Sequence, residues 1–148
     1  MLYRSFLLTL IVVSPAFGRE PVDDPLPGPV PARVLHVIDG DTVRVRARIW
    51  LGQEVETNVR LSGVDTGETH AHCDVEQNMA DKATDFVMQK LPEGDLISLT
   101  DVTYDKYGKR VVAHILTATG QDLSALLLKS GLAHAYGGGH KKSWCERD

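Results

Sequence analysis

The sequence predicts an α+β fold that is mainly β: a five-stranded barrel, one helix between strands three and four, and a short helix near the C-terminus. Three observations predict it. Val43-Arg44-Val45-Arg46-Ala47-Arg48-Ile49 alternates apolar and basic residues, the period-two pattern of a half-buried strand. Short apolar runs bounded by Gly, Asp or Pro recur on both sides of it. A single long stretch at helical spacing separates the third run from the fourth. At 148 residues the chain suits one domain.

Arg33 to Ile38 reads as the first strand and Asp39-Gly40-Asp41 as the turn after it. The alternating strand follows. Gly52-Gln53 signals a hairpin, and Val55 to Leu61 pairs back, with Arg60 near its end. Asp65 to Cys73 is a polar loop. Asp74 is placed to cap the helix, with Gln77 at the capping-box position and Val75, Met79, Ala83, Phe86 and Val87 as its apolar face. Pro92-Glu93-Gly94 ends it. Leu96 to Leu99 with Val102, and then Val111 to Leu116, make the last two strands around an Asp105–Gly108 turn. Asp122 caps a short helix bearing Leu123, Leu126 and Leu127, which stops near Gly131. Three strands, helix, two strands, helix is an OB-like plan.

The first 18 residues are of another kind. Arg4, the apolar run Phe6 to Val13 and the small residues of Ser14-Pro15-Ala16-Phe17-Gly18 follow the plan of a secretory signal peptide cut before Arg19. The run is too short to span a bilayer, which takes about 20 residues. Residues 19–31 hold five prolines and read as an extended tether or an unstructured tail, with the folded domain over 32–148. The formal charge is −4, and losing Arg4 with the leader makes it −5. That is not the basic footprint of a tight nucleic-acid binder. The two cysteines, Cys73 and Cys145, in an exported chain favour a disulfide over free thiols or a metal pair.

Chemistry concentrates between Val37 and Glu68. Asp41 and Asp65 stand just beyond apolar strand residues in different connections. One such acid alone is a turn former; the set carries the argument. Asp41, Asp65 and the Thr66 carbonyl form an all-oxygen group suited to calcium or magnesium. Glu68, three residues after Asp65, is placed to orient a water or take its proton. Arg60 and Arg110 are phosphate clamps, each a fixed two-donor fork. Together they point to metal-assisted phosphodiester cleavage. His70 and His72 have no clear third partner for zinc or copper. Arg44, Arg46 and Arg48 share one strand face, either a phosphate track or a solvated surface.

From about Ala32 to Tyr136 the chain resembles the staphylococcal nuclease (thermonuclease) family. The resemblance rests on Val37-Ile38-Asp39-Gly40-Asp41-Thr42, on Arg60 with Val64-Asp65-Thr66-Gly67-Glu68-Thr69, on Asp105-Lys106-Tyr107-Gly108-Lys109-Arg110, and on Gly131-Leu132-Ala133 before Tyr136. It implies an OB barrel and calcium-dependent hydrolysis of DNA and RNA, preferentially single-stranded, leaving 3′-phosphate ends. It further implies Asp41, Asp65 and Thr66 as Ca2+ ligands, with Asp39 near the ion through water. Arg60 and Arg110 would hold the phosphate, Glu68 would be the general base, and Lys106, Tyr107 and Tyr136 would touch the nucleotide. The chain departs from the family pattern in three places. Gly67 stands where proline is usual, which predicts a looser loop. Lys109 is an extra residue before Arg110, whose position before Val111-Val112 makes it the better clamp. The tail after Tyr136 replaces a long third helix. The expected protein is an exported monomer; the rival classes are a noncatalytic OB module that binds single strands and an extracytoplasmic interaction or sugar-binding domain.

Overall fold

The computed structural model describes residues 25–106, 108 and 110–145. The leader over 1–18, the first part of the proline-rich stretch, Tyr107 and Lys109 lie outside the described residues. The elements are β1 (Val30–Asp39), β2 (Thr42–Trp50), β3 (Gln53–Leu61), β4 (Val64–Asp65), α1 (Asp74–Lys90), β5 (Leu96–Tyr104), β6 (Val111–Leu116), α2 (Leu123–Lys129) and β7 (His134–Ala135). Strands β1, β2, β3, β6 and β5 close a barrel in that order, while β4 and β7 make a separate two-stranded ladder. Pairing is antiparallel except between β3 and β6. The OB-like plan expected from the sequence is the plan observed.

Alternation along β2 explains how the barrel fills. Val43, Val45 and Ala47 are buried and meet Val34, Val59, Leu61, Leu99 and Ile115 inside. The intervening arginines face out, where Arg46 pairs with Glu56 at 2.7 Å and Arg44 pairs with the same carboxylate at 3.3 Å. Carboxylates of β3 thus occupy Arg44 and Arg46, which favours a solvated face over a phosphate track for those two. Helix α2 seats Leu123 and Leu127 in the core, with the Asp122 carboxylate accepting the Ala125 N–H as its cap.

The structure corrects the sequence reading in three places. The barrel starts earlier than Arg33: Val30 and Pro31 pair with Leu99 and Ser98. Leu26 and Val102 exchange backbone hydrogen bonds at 2.9 and 2.8 Å. Pro31 is tolerated because β1 has a partner on only one side there, its pairing with β2 beginning at Ala32. The cap of α1 is Cys73, not Asp74, and Gln77 bonds Asp81 rather than the cap. The buried face is Glu76, Ala80, Ala83 and Val87, while Val75 is 60% exposed. Small side chains win this face because the helix lies close against the turns that carry the acids. A Cβ on Gly40 would stand 2.7 Å from the Ala83 Cβ, and one on Gly67 would stand 2.7 Å from the Glu76 carbonyl oxygen. Gly67 therefore does not loosen its loop. It lets the loop lie directly on α1.

Candidate active site

The turn between β1 and β2 builds the first half of the site. Asp39 ends β1, and its carboxylate accepts the Asp41 N–H at 3.0 Å. The Asp41 carbonyl accepts the Leu61 N–H at 2.8 Å, which ties the turn to the end of β3. Arg60 lies opposite Thr42 in the β2–β3 register, so its side chain reaches the same end of the barrel. Burial, and then the neighbouring Asp41 charge, push the Asp39 carboxyl above its ordinary range.

The β3–β4 connection brings the second half. Asp65 is held in register with His134 by the β4–β7 ladder. The Thr66 N–H and hydroxyl donate to Asp41 Oδ2 at 3.1 and 3.0 Å. Arg60 Nη2 donates to Asp65 Oδ1 at 3.1 Å, and Nη1 forms an ion pair with Asp41 Oδ2. That second contact is not in hydrogen-bond alignment, so the buried Nη1 has no aligned acceptor. Asp41, Arg60, Asp65 and Thr66 are all buried. Glu68 stands at the rim, its side chain 54% exposed. Arg110 approaches from the start of β6, its Nε held by Asp105 Oδ2 at 2.6 Å.

The site residues other than Asp65 converge on one cavity. A cavity of about 100 Å³ is lined by Asp39, Asp41, Arg60, Thr66, Gly67, Glu68, Thr69, Arg110 and Lys141. A wider groove of about 600 Å³ opens beside it, bordered by Tyr104, Lys106, Arg110, Tyr136 and Lys141 among others. The expected nucleotide contacts Lys106 and Tyr136 thus line the groove rather than the small cavity, and Tyr107 is outside the described residues. Cys73 and Cys145 are bridged, with 5.9 Å between their Cα atoms. Cys73, Glu76 and Cys145 cluster closely enough to suggest a metal group, but both sulfurs are used in the bridge.

Three residues escaped the sequence reading. Glu76 is buried, and its carboxylate accepts the His72 N–H at 2.9 Å and the Glu68 N–H at 3.3 Å. Those donors, the His72 N–H foremost, hold its pKa below the ordinary glutamate value against the opposing effect of burial. Its signal was legible, because Cys73-x-x-Glu76 has capping-box spacing with cysteine at the cap. Lys141 reaches Asp65 Oδ1 at 2.9 Å and also pairs with Glu68. Burial works against its charge, yet hydrogen bonds to Glu68 and Asp65 hold its pKa above the ordinary lysine value. Tyr104, 70% exposed at the groove, gave no signal apart from its place at a strand end.

The family model for staphylococcal nuclease homologues matches residues 58–146, more than half of the chain. The chain belongs to that family. The match covers Arg60, Asp65, Thr66, Glu68, Arg110 and Lys141. Asp39 and Asp41 precede it and join the site through the hydrogen bonds just described. Membership makes this a nuclease-like protein in a generally metal-dependent family whose substrates are nucleic acids. No curated protein matches the chain closely enough to serve as a relative.

Proposed function

We propose that this protein is an exported, calcium-dependent nuclease that hydrolyses DNA and RNA, single strands preferentially, leaves 3′-phosphate ends and works as a monomer. One observation carries the reading: buried Asp41, half-buried Asp39, two arginines and a rim glutamate border a single cavity of about 100 Å³, and Arg60 ties that cavity to the buried Asp65. Export is supported by the leader pattern and by a disulfide suited to an oxidising compartment.

The donor chemistry fits a hard cation. Asp41, Asp65 and the Thr66 carbonyl would hold it, all through oxygen, and few protein ligands leave room for water and phosphate. Bound there, calcium would polarise a phosphate oxygen and acidify a water. The chain's own groups account for the rest. Arg60, paired with Asp41 and Asp65, would offer its guanidinium to the phosphate once a cation takes those carboxylates. Arg110, oriented by Asp105, adds a second fork opposing the charge that grows on phosphorus. Glu68 has its backbone fixed by Glu76 and its carboxylate at the rim, paired with Lys141, where it would take a proton from the attacking water. Tyr104, Lys106 and Tyr136 give neighbouring nucleotides a groove with rings and a positive charge.

The test is cleavage of single-stranded DNA by the purified protein in calcium and in chelator, with ends analysed by phosphatase sensitivity. Calcium-dependent cleavage is expected, with Arg110→Ala about 100–1000-fold slower. Cleavage that survives complete chelation sinks the calcium assignment. Binding without cleavage makes the protein the noncatalytic OB module instead.

A further inference from the structure

The tail after Tyr136 is fastened over the site at three points. The Tyr136 N–H donates to the Gly63 carbonyl at 3.0 Å, in the connection between β3 and β4. Trp144 stacks on His134 with ring centroids 3.8 Å apart and planes 11° from parallel, and His134 is the ladder partner of Asp65. Cys145 is bonded to Cys73 and lies 3.7 Å from Glu76 Oε2, the carboxylate that holds the Glu68 and His72 N–H groups. Between these fastenings Lys141 bridges Asp65 and Glu68, and it lines both the small cavity and the groove.

The two carboxylates it joins differ sharply. The Asp65 side chain is 4% exposed and the Glu68 side chain 54% exposed. A lysine that met only Glu68 would be an ordinary surface pair of small worth. By also reaching Asp65 Oδ1 it shares an oxygen already bonded to Arg60 Nη2. One buried oxygen thus serves two cations of the chain, and any ion that takes Asp65 must displace or share with them. Fastening matters because a tethered competitor acts at a fixed local concentration that dilution does not lower.

We propose that Lys141 is a positioning residue of the site: held by the disulfide-closed tail, its ammonium orients Glu68 and competes with a divalent cation for Asp65, so the tail sets cation affinity. The inference rests on the proposed reading that a cation binds at Asp41 and Asp65.

The test is calcium titration by calorimetry on the purified protein without nucleic acid. Lys141→Met should bind calcium about tenfold more tightly, equivalent to roughly 1.4 kcal/mol of lost competition. Lys141→Arg, which keeps the charge, should stay close to the unsubstituted protein. A Cys73→Ser/Cys145→Ser protein, confirmed folded by melting, should shift toward Lys141→Met. Calcium bound by the unsubstituted protein but no tighter in Lys141→Met overturns this inference and leaves the calcium site standing. Unchanged calcium affinity with a raised KM for DNA overturns it too, making Lys141 a phosphate contact. Absence of calcium binding in every variant overturns both readings.

Discussion

The β2–β3 hairpin carries arginine–carboxylate pairs at both of its ends, and the two ends behave as different materials. Toward the turn, Arg44 and Arg46 meet Glu54 and Glu56 with side chains 37–49% exposed. At the barrel mouth, Arg60 meets Asp41 and Asp65 with side chains 4–11% exposed. The residue types and the contact distances are much alike, but the solvent is not. Water screens the outer ladder, so its partners are interchangeable surface charges. Inside the mouth each charge depends on its partner, because a buried ion left alone has no water to fall back on. The proposed site lies where separating the charges carries the larger penalty.

The largest expected effect comes from breaking the inner pairs. Arg60→Ala leaves Asp41 and Asp65 buried without their guanidinium. It should lower stability by about 3–5 kcal/mol and cleavage by about 100–1000-fold, read by denaturant melting and by DNA hydrolysis. An Arg60→Ala protein that melts like the original would mean the mouth is wetter than its burial implies.

Next comes the seat of the loop on α1. Gly67→Ala would place a Cβ 2.7 Å from the Glu76 carbonyl oxygen and 3.0 Å from the Ala80 nitrogen. Overpacking of this kind costs about 1–3 kcal/mol. Thermal melting should register the loss, and an unchanged or raised Tm would return Gly67 to the role of loop loosener.

Glu76 gives the pH test. Its folded pKa is depressed, so the stability it contributes is present above the unfolded glutamate value. That stability is lost as pH falls through the folded pKa. The gap in Tm between the unsubstituted protein and Glu76→Gln should be full near neutrality and shrink in acid. A gap that widens on acidification contradicts the sign. The smallest effect belongs to the outer ladder: Glu56→Ala should leave both Tm and cleavage unchanged within error, with its screened partners remaining hydrated.

Barrel and helices were legible because their signals are local. Alternation in β2, the hairpin at Gly52 and the Asp122 cap each act within a few residues. That Asp41, Arg60, Thr66, Glu68 and Arg110 border one cavity could be anticipated, because motifs at strand ends come together at one end of a barrel. What escaped was set by packing between distant segments. Val75 and Met79 look more apolar than Ala80 and Ala83, yet only small residues let α1 approach Gly40 and Gly67. Prolines 27 and 31 suggested a free tether, but which face of a strand has a partner is not written beside the proline. Lys141 lies 73 positions from Glu68, and no spacing rule joins them.

The Cys73–Cys145 bond closes a covalent ring that contains α1, β5, β6, α2 and β7. A peptide bond cut inside that ring opens the chain without dividing it. The exposed turn at 118–120 is such a place, and both fragments would remain joined through sulfur. Survival after a protease nick is therefore built into the connectivity: a single scission shows on a reducing gel and leaves no lighter species on a non-reducing one.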